Sequence, residues 1–179
     1  MATTSLPTSR HLDWSGNALH VTDIVASGNV YANSQTINDV APTNVTAATL
    51  AVSASSHAGK VVTLNKVDGQ TITMPAATGT GNTYTFWLGT TTTSNAYVFS
   101  PTGDDTVHGV AILGDSTDGT AHIWTNASGN NTVTLGGTAN ATGGIKGTYI
   151  TYRDVAADTW AVEITGDAGG TEASPFSTV

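Results

Sequence analysis

Residues 57–88 read HAGKVVTLNKVDGQTITMPAATGTGNTYTFWL and carry the clearest fold information in the chain. Apolar and polar residues alternate in three short segments, which is the period-2 pattern of β-strands with one buried face. Asp68-Gly69 separates the first two segments as a turn pair, and Pro75 ends the second because proline cannot donate a ladder hydrogen bond. The pattern predicts a three-stranded β-meander.

The same pattern continues to about residue 165. Short apolar segments alternate with Gly- and Asp-rich turns at a spacing of about 8–12 residues, without a helical period. The sequence therefore predicts an all-β domain over residues 44–165, with about 9–10 short antiparallel strands in a single β-sandwich, jelly-roll-like or barrel fold. The predicted core contains the residues on the apolar side of each strand: Val62, Leu64, Ile72, Met74, Tyr84, Phe86, Leu88, Ile112, Ile123, Trp160, Val162 and Ile164.

Two flanking segments have a different composition. Residues 1–43 contain short apolar pieces separated by Ser-Gly-Asn units, and they are predicted to form an extended N-terminal arm of short strands that pairs with another subunit. Small polar residues are also typical of mobile termini, so a disordered tail remains the alternative. Residues 166–179 are predicted to be a polar C-terminal tail with Phe176 as its one anchor.

The charge balance excludes several classes of partner. The chain has 13 Asp and Glu against 5 Lys and Arg, which gives a formal net charge of −8 and no basic stripe for nucleic acid. No apolar run approaches the roughly 20 residues that span a bilayer, and the N-terminus lacks the layout of a signal peptide. We therefore expect neither nucleic acid nor membrane as a partner, and synthesis in a cytosol.

Threonine replaces charge on the predicted surface. Charged residues make up only 10% of the chain, whereas 34 residues are threonine. The threonine hydroxyl keeps a strand soluble without charge, and the branched Cβ suits a strand. Such a surface is typical of proteins that survive outside a cell or pack among many copies. Since the chain has no cysteine, its stability has to come from β-pairing, packing or assembly rather than disulfides.

Motifs for catalysis or metal binding are incomplete. Gly114-Asp115-Ser116 resembles the nucleophile block of GDS-type esterases, but no Asp stands three residues before His122, so a turn is the simpler interpretation. The five histidines show no zinc spacing. We expect no catalytic residues, no cofactor and no metal ligands. A calcium ion held by the Asp-rich turns, which contain Asp104, Asp105, Asp115 and Asp118, remains undecided.

Tryptophans point to contact surfaces. Trp160 shares parity with Val162 and Ile164 and is expected in the core, whereas Trp87 and Trp124 stand opposite the main apolar sets of their strands. These two side chains could face a partner subunit or a ligand. In the arm, large apolar side chains are expected to insert into the surface of another subunit. The predicted partner-binding residues are Leu6, Trp14, Leu19, Val21, Ile24, Tyr31, Trp87 and Trp124.

Three segments carry a resemblance to a known group of proteins. They are GKVVTLN at residues 59–65, PAATGTG at residues 75–81 before Tyr84-Thr85-Phe86, and YITYRD at residues 149–154 with Trp160 and Val162. Together they resemble virion structural proteins of tailed bacteriophages over about residues 45–165. No functional residues are carried over from that group, and the arm has no counterpart pattern.

The resemblance implies a function in the virion. It implies a structural protein that decorates and stabilises the outside of a phage capsid, resembling capsid decoration (cement) proteins, which are often trimeric. The implied partners are the major capsid protein and further copies of the chain in a homotrimer, and the implied location is the capsid exterior. The alternative is a head-fibre or tail-fibre adhesion module that binds a host surface glycan.

Overall fold

The computed structural model describes residues 41–179, except for Ser116 and the side chain of Thr138. The predicted arm contacts of residues 1–40 lie outside the described residues; they are Leu6, Trp14, Leu19, Val21, Ile24 and Tyr31. Within the described part, twelve strands are joined by loops, one short helix α1 (Ala54–His57) and a 3-10 turn at Thr138–Asn140. The strands are β1 (Thr43–Val45), β2 (Thr49–Ala51), β3 (Val61–Leu64), β4 (Gln70–Met74), β5 (Thr83–Leu88), β6 (Ala96–Pro101), β7 (Thr106–Asp115), β8 (Ala121–Thr125), β9 (Thr132–Gly136), β10 (Tyr149–Ala156), β11 (Thr159–Ala168) and β12 (Phe176–Ser177).

The strands form two mixed sheets that pack together. Sheet A has seven strands in the order β1-β3-β5-β10-β11-β7-β8, and sheet B has five in the order β12-β9-β6-β4-β2. Both sheets contribute buried apolar side chains to one common core. The predicted all-β, sandwich-like fold class is therefore confirmed.

The predicted meander is wrong in its pairing. β3 lies in sheet A and pairs in parallel with β1 and β5, while β4 lies in sheet B and pairs in parallel with β2 and β6. The N-terminal half is thus a stack of three arches, where an arch is two strands joined by a turn that crosses from sheet A to sheet B. The arches are β1–β2, β3–β4 and β5–β6. Alternation of residues identifies the strand and its buried face but not its neighbour, because either arrangement buries the same side chains.

Polar side chains fill the ends of the arches. The hydroxyl of Tyr97 on β6 donates to the carbonyl of Lys66 at 3.0 Å, and Gln70 Nε2 donates to the carbonyl of Val45 at 3.3 Å. Gly69 turns the second arch with a φ of 78°, and a Cβ there would lie 2.3 Å from the Ala96 carbonyl oxygen. The Asp68-Gly69 turn predicted from the sequence is therefore present, although it joins two sheets.

The core is largely the predicted one and is rich in aromatic rings. Phe86 packs edge-on against Phe99 with ring centroids 5.1 Å apart, and Tyr152 stacks on Phe99 at 5.8 Å. Trp160 meets Tyr84 and Tyr152 edge-on. Ten of the predicted core residues are buried: Val62, Leu64, Ile72, Met74, Tyr84, Phe86, Leu88, Trp160, Val162 and Ile164.

Two predicted core residues lie on the opposite face. Ile112 is 42% exposed and Ile123 is 66% exposed, whereas Ala111 and Leu113 are fully buried. β7 has apolar residues of both parities, so alternation alone could not select its inner face. The face on which β8 places Ile123 is then set by β7, because Ile123 pairs directly with Ile112 and lies on the same outer face.

The C-terminal residues are part of the fold rather than a tail. β11 continues to Ala168, and β12 adds to sheet B by pairing Phe176 with Val133. Phe176 is only 7% exposed and joins the core, which confirms it as an anchor. Residues 169–175 therefore cross from sheet A to sheet B, and we refer to them as the crossover.

Candidate functional site

One line of side chains crosses the outer face of sheet A. Strand register places Trp87 on β5 opposite Tyr149 on β10. Tyr149 in turn lies opposite Thr165 on β11, and Thr165 lies opposite Ile112 on β7. Ile112 in turn pairs with Ile123 on β8. We call these five residues the outer row. With strands about 4.8 Å apart, the row extends for roughly 19 Å.

The outer row is accessible, and four of its five side chains are apolar, with Thr165 between them. Tyr149 is 47% exposed, and its ring lies 6.5 Å from that of the half-buried Trp87. At the other end of the row, Ile112 is 42% exposed and Ile123 is 66% exposed. The next row along the same strands consists of Thr85, Thr151, Glu163, Val110 and Thr125, with one charge among them. A mainly apolar row with threonines along one side and Asp167 on the other has the composition of an interface core and its polar rim.

Two buried carboxylates serve the fold. Asp154, 3% exposed, accepts hydrogen bonds from the backbone N–H groups of Thr78, Gly79 and Thr80 and from the Thr80 hydroxyl. Burial raises the pKa of Asp154, but these donors outweigh it and hold the pKa below its usual value. Asp105 accepts from Ala77 N and Trp160 Nε1. Both carboxylates bind the loop between β4 and β5, so neither is free for chemistry.

A third group of titratable side chains lies at the end of the β7–β8 hairpin. Asp115 ends β7, His122 lies on β8, and Glu172 comes from the crossover. One potential ligand atom of each residue lies within 4.8 Å of the others. His122 Nε2 is 3.7 Å from Glu172 Oε2, and the His122 ring stacks on Trp124 with centroids 5.5 Å apart. We call these three residues the hairpin cluster.

The hairpin cluster is only partly satisfied by hydrogen bonds. The backbone N–H of Thr117 donates to Asp115 Oδ1 at 2.6 Å, and this bond is the main reason that the pKa of Asp115 is lowered. The nearby carboxyl of Glu172 makes a smaller contribution in the same direction. Glu172 Oε1, by contrast, is buried and has no hydrogen-bond partner within the described chain. The side chain of Glu172 is 10% exposed.

A polar groove lies beside the turn of the second arch. Its volume is about 740 Å³, and its lining includes Lys66, Asp68, Gln70, Ser94 and Asn95. Gln70 is 3% exposed, and its Oε1 has no partner among the described residues. Amide, carboxylate and hydroxyl groups in a shallow groove suit a ligand with many hydroxyls.

The structure places the predicted contact residues in different environments. Trp87 lies in the outer row, as expected for a residue opposite the core. Trp124 faces the other side of sheet A, where it packs partly buried against the core. Its predicted contact with a partner stays a prediction. Ser116 of the GDS block lies outside the described residues, and Asp105 and Asp115 are separated by the length of β7.

Several residues of these surfaces were not singled out from the sequence. Ile112 and Ile123 were assigned to the core, Tyr149 was noted only in the resemblance, and Glu172 fell in the supposed tail. The outer row could be recognised only from the register of five strands, most of which are distant from one another in sequence. The sequence offered a weaker indication for Glu172, because GDAGGTEASPFSTV holds just one glutamate beside an apolar anchor.

No family model, curated protein or solved structure matches the chain at a significant level. No helix in the described part of the chain is long and apolar enough to cross a membrane.

Proposed function

We propose that the chain is a structural virion protein that decorates the outside of a phage capsid and acts by packing against copies of itself and against the major capsid protein. The outer row is the observation that carries this proposal. Four large apolar side chains in one row, two on each side of Thr165, are costly to leave in water, since burying each fully is worth about 1.5–3 kcal/mol.

The composition around the outer row favours a second copy of the chain as its occupant. Interface cores are depleted in charge, and the two rows described above contain one charged residue, Glu163. A symmetric oligomer would place the same threonine-bordered line against itself or a neighbouring strand edge. We propose a trimer, in line with the group of proteins that the sequence resembles.

The sheet edges support a role for the arm. β1 and β2 are the outermost strands at one end of sheets A and B, and in the described part neither has a second neighbour. The predicted arm leads directly into β1. A strand from a capsid subunit or a neighbouring copy could extend either sheet by β-augmentation, which would add backbone hydrogen bonds to the apolar contacts.

Self-association through the outer row is tested by light scattering on the full chain. The wild type is expected to form an oligomer, and the double substitution Ile112→Thr with Ile123→Thr is expected to shift it toward the 18.1 kDa monomer. Val155→Thr is the matched control, because Val155 is 47% exposed on β10 but lies outside the row. A wild type that stays monomeric at micromolar concentrations, or a control that dissociates equally, would refute the row as the interface.

Capsid binding needs its own test. Particles that lack the native protein are mixed with the purified chain and sedimented, and hundreds of bound copies per particle are expected. Binding to no capsid surface would leave a structural oligomer without the virion role.

The polar groove favours a second function, adhesion to a host surface glycan. Titration with oligosaccharides against wild type and Asn95→Ala tests this alternative, because Asn95 lines the groove and is exposed. Saturable binding that Asn95→Ala removes, together with only a few copies per particle, would favour a fibre module over a decoration protein.

A further inference from the structure

The hairpin cluster joins the crossover to the β7–β8 hairpin. Within the described residues β8 is an edge strand of sheet A, and β12 adds to sheet B through two register pairs. The crossover between β11 and β12 brings Glu172 against the start of β8 and the end of β7. A bond among these three residues would fasten the crossover to the hairpin.

The charges of the cluster call for a positive group. Asp115 is 7% exposed and Glu172 is nearly as buried, so two carboxylates share a site from which most water is excluded. Two ionised carboxylates are acceptors only, so a proton or another cation has to lie between them for the pair to be stable. Glu172 Oε1 has no donor in the described chain, and such a buried acceptor is rare unless an ion or water occupies the gap.

Neighbouring donors are already used. The Thr120 hydroxyl donates to Asp118 Oδ1 at 2.6 Å and lies 3.1 Å from His122 Nε2. Asp118 also accepts from the Thr120 backbone N–H at 2.8 Å. The Thr120 hydroxyl therefore has no proton left for Glu172 Oε1, and in its contact with His122 the donor is Nε2–H, whose proton a metal ion at Nε2 would replace. His122 Nε2 is also 3.7 Å from Glu172 Oε2.

The ligand set and its dimensions fit a metal ion. Ligands at about 2.0–2.2 Å from a tetrahedral Zn²⁺ stand about 3.4 Å apart, which is close to the 3.7 Å between His122 Nε2 and Glu172 Oε2. The third ligand atom, from Asp115, lies within 4.8 Å of the others and would need to move by up to about 1.4 Å. An imidazole favours Zn²⁺ and similar transition metals over Ca²⁺ and Mg²⁺, which prefer oxygen alone.

We propose that Asp115, His122 and Glu172 form a binding site for a divalent transition metal of the Zn²⁺ class, which fastens the crossover to the β7–β8 hairpin. Three protein ligands, with Glu172 binding through Oε2, leave a fourth position for a water that would donate to Glu172 Oε1. This metal stabilises the edge strand that carries Ile123 and the short strand that ends the chain. The proposal does not depend on the proposed virion function.

Calorimetric titration of the full chain with Zn²⁺ tests the site. One ion per chain is expected to bind, and Glu172→Gln and His122→Ala are each expected to bind at least roughly tenfold more weakly, since each removes one of three ligands. The control is His108→Ala, because His108 is exposed on β7 away from the cluster. Its affinity for Zn²⁺ is expected to match the wild type.

Thermal unfolding gives a second readout. Zn²⁺ is expected to raise the Tm of the wild type and of His108→Ala, and to leave that of Glu172→Gln unchanged. Glu172→Gln keeps the shape of the side chain, so it serves if His122→Ala does not fold. Absence of saturable binding, equal loss in the His108→Ala control, or Ca²⁺ binding that is tighter than Zn²⁺ and indifferent to His122→Ala would each overturn the proposal.

Discussion

Replacing Asp154 with asparagine should remove the main fastening of the loop between β4 and β5. The carboxylate of Asp154 takes two backbone N–H groups on Oδ1, from Thr78 at 2.9 Å and Gly79 at 2.6 Å. Its Oδ2 takes the Thr80 N–H at 3.0 Å and the Thr80 hydroxyl at 2.6 Å. An asparagine amide offers one acceptor oxygen and one NH₂ group, so it cannot satisfy both sets.

The cost follows from the bonds that are lost or weakened. In the best orientation the amide oxygen keeps Thr78 and Gly79, while the NH₂ group donates to the Thr80 hydroxyl and leaves the Thr80 N–H without its acceptor. Hydrogen bonds to a charged group contribute about 1.5–3 kcal/mol and neutral ones about 0.5–1.5, so the two kept bonds lose about 1 kcal/mol each. Thr80 is exposed and water can replace its lost acceptor, so the total is about 2–4 kcal/mol.

Urea unfolding followed by tryptophan fluorescence measures this effect at neutral pH. Asp154→Asn is expected to lower the free energy of unfolding by the amount above, and Asp104→Asn, at an exposed carboxylate, by less than about 0.5 kcal/mol. A loss below about 1 kcal/mol for Asp154→Asn would refute the assignment of the loop's stability to this carboxylate.

Four further outcomes follow from other features. The difference in the free energy of unfolding between wild type and Asp154→Asn should shrink as pH falls below about 4. A carboxyl whose pKa is lowered in the folded state stabilises the fold above its unfolded pKa, and this contribution is lost as the carboxyl is protonated. A difference in urea unfolding that does not change with pH would contradict this. Gly69→Ala should destabilise the chain by more than about 1 kcal/mol in the same assay, because the new Cβ would overlap the Ala96 carbonyl. Gly103→Ala is the control for the cost of a positive φ alone, since Gly103 has the same φ of 78° but open space around it. Equal effects of the two substitutions would show that the overlap at Gly69 costs nothing. Phe176→Ala should cost about 3–5 kcal/mol if the chain end is part of the core, and a loss under about 1 kcal/mol would mean that β12 detaches freely. After deletion of residues 1–40, circular dichroism should still show a folded domain, but this domain should no longer sediment with capsids. Undiminished capsid binding would mean that the protein attaches through its sheets.

The sequence predicted side-chain faces better than strand partners. In β4, Ile72 and Met74 alternate with exposed threonines, so one parity was clearly apolar and the prediction was correct. In β7, Val110 and Ile112 compete with Ala111 and Leu113, and only pairing with β8 and β11 decides which set is buried. Alternation is a local property, whereas parallel stacking of arches depends on contacts between segments that no local pattern records.

The candidate surfaces were less predictable for the same reason. Trp87 could be identified because it stands opposite an apolar set within its own strand. Its neighbours in the outer row come from four other strands, and their alignment is fixed by ladder register. Glu172 was hidden because a glycine-rich segment with few apolar residues is typical of a tail, while its course is set by the burial of Phe176 beyond it.

The stacked arches also define a unit by which this chain can change length. The arches begin at Thr43, Val61 and Thr83, so they recur after 18 and then 22 residues. A single inserted residue within a strand would exchange its inner and outer faces. Duplication of a whole arch between β4 and β5 would instead add one strand to each sheet with every face preserved, as in repeat proteins that grow by identical units. The N-terminal half therefore suits lengthening by whole arches, whereas β7, β8, β10 and β11 depend on one another's ladders and would have to change together.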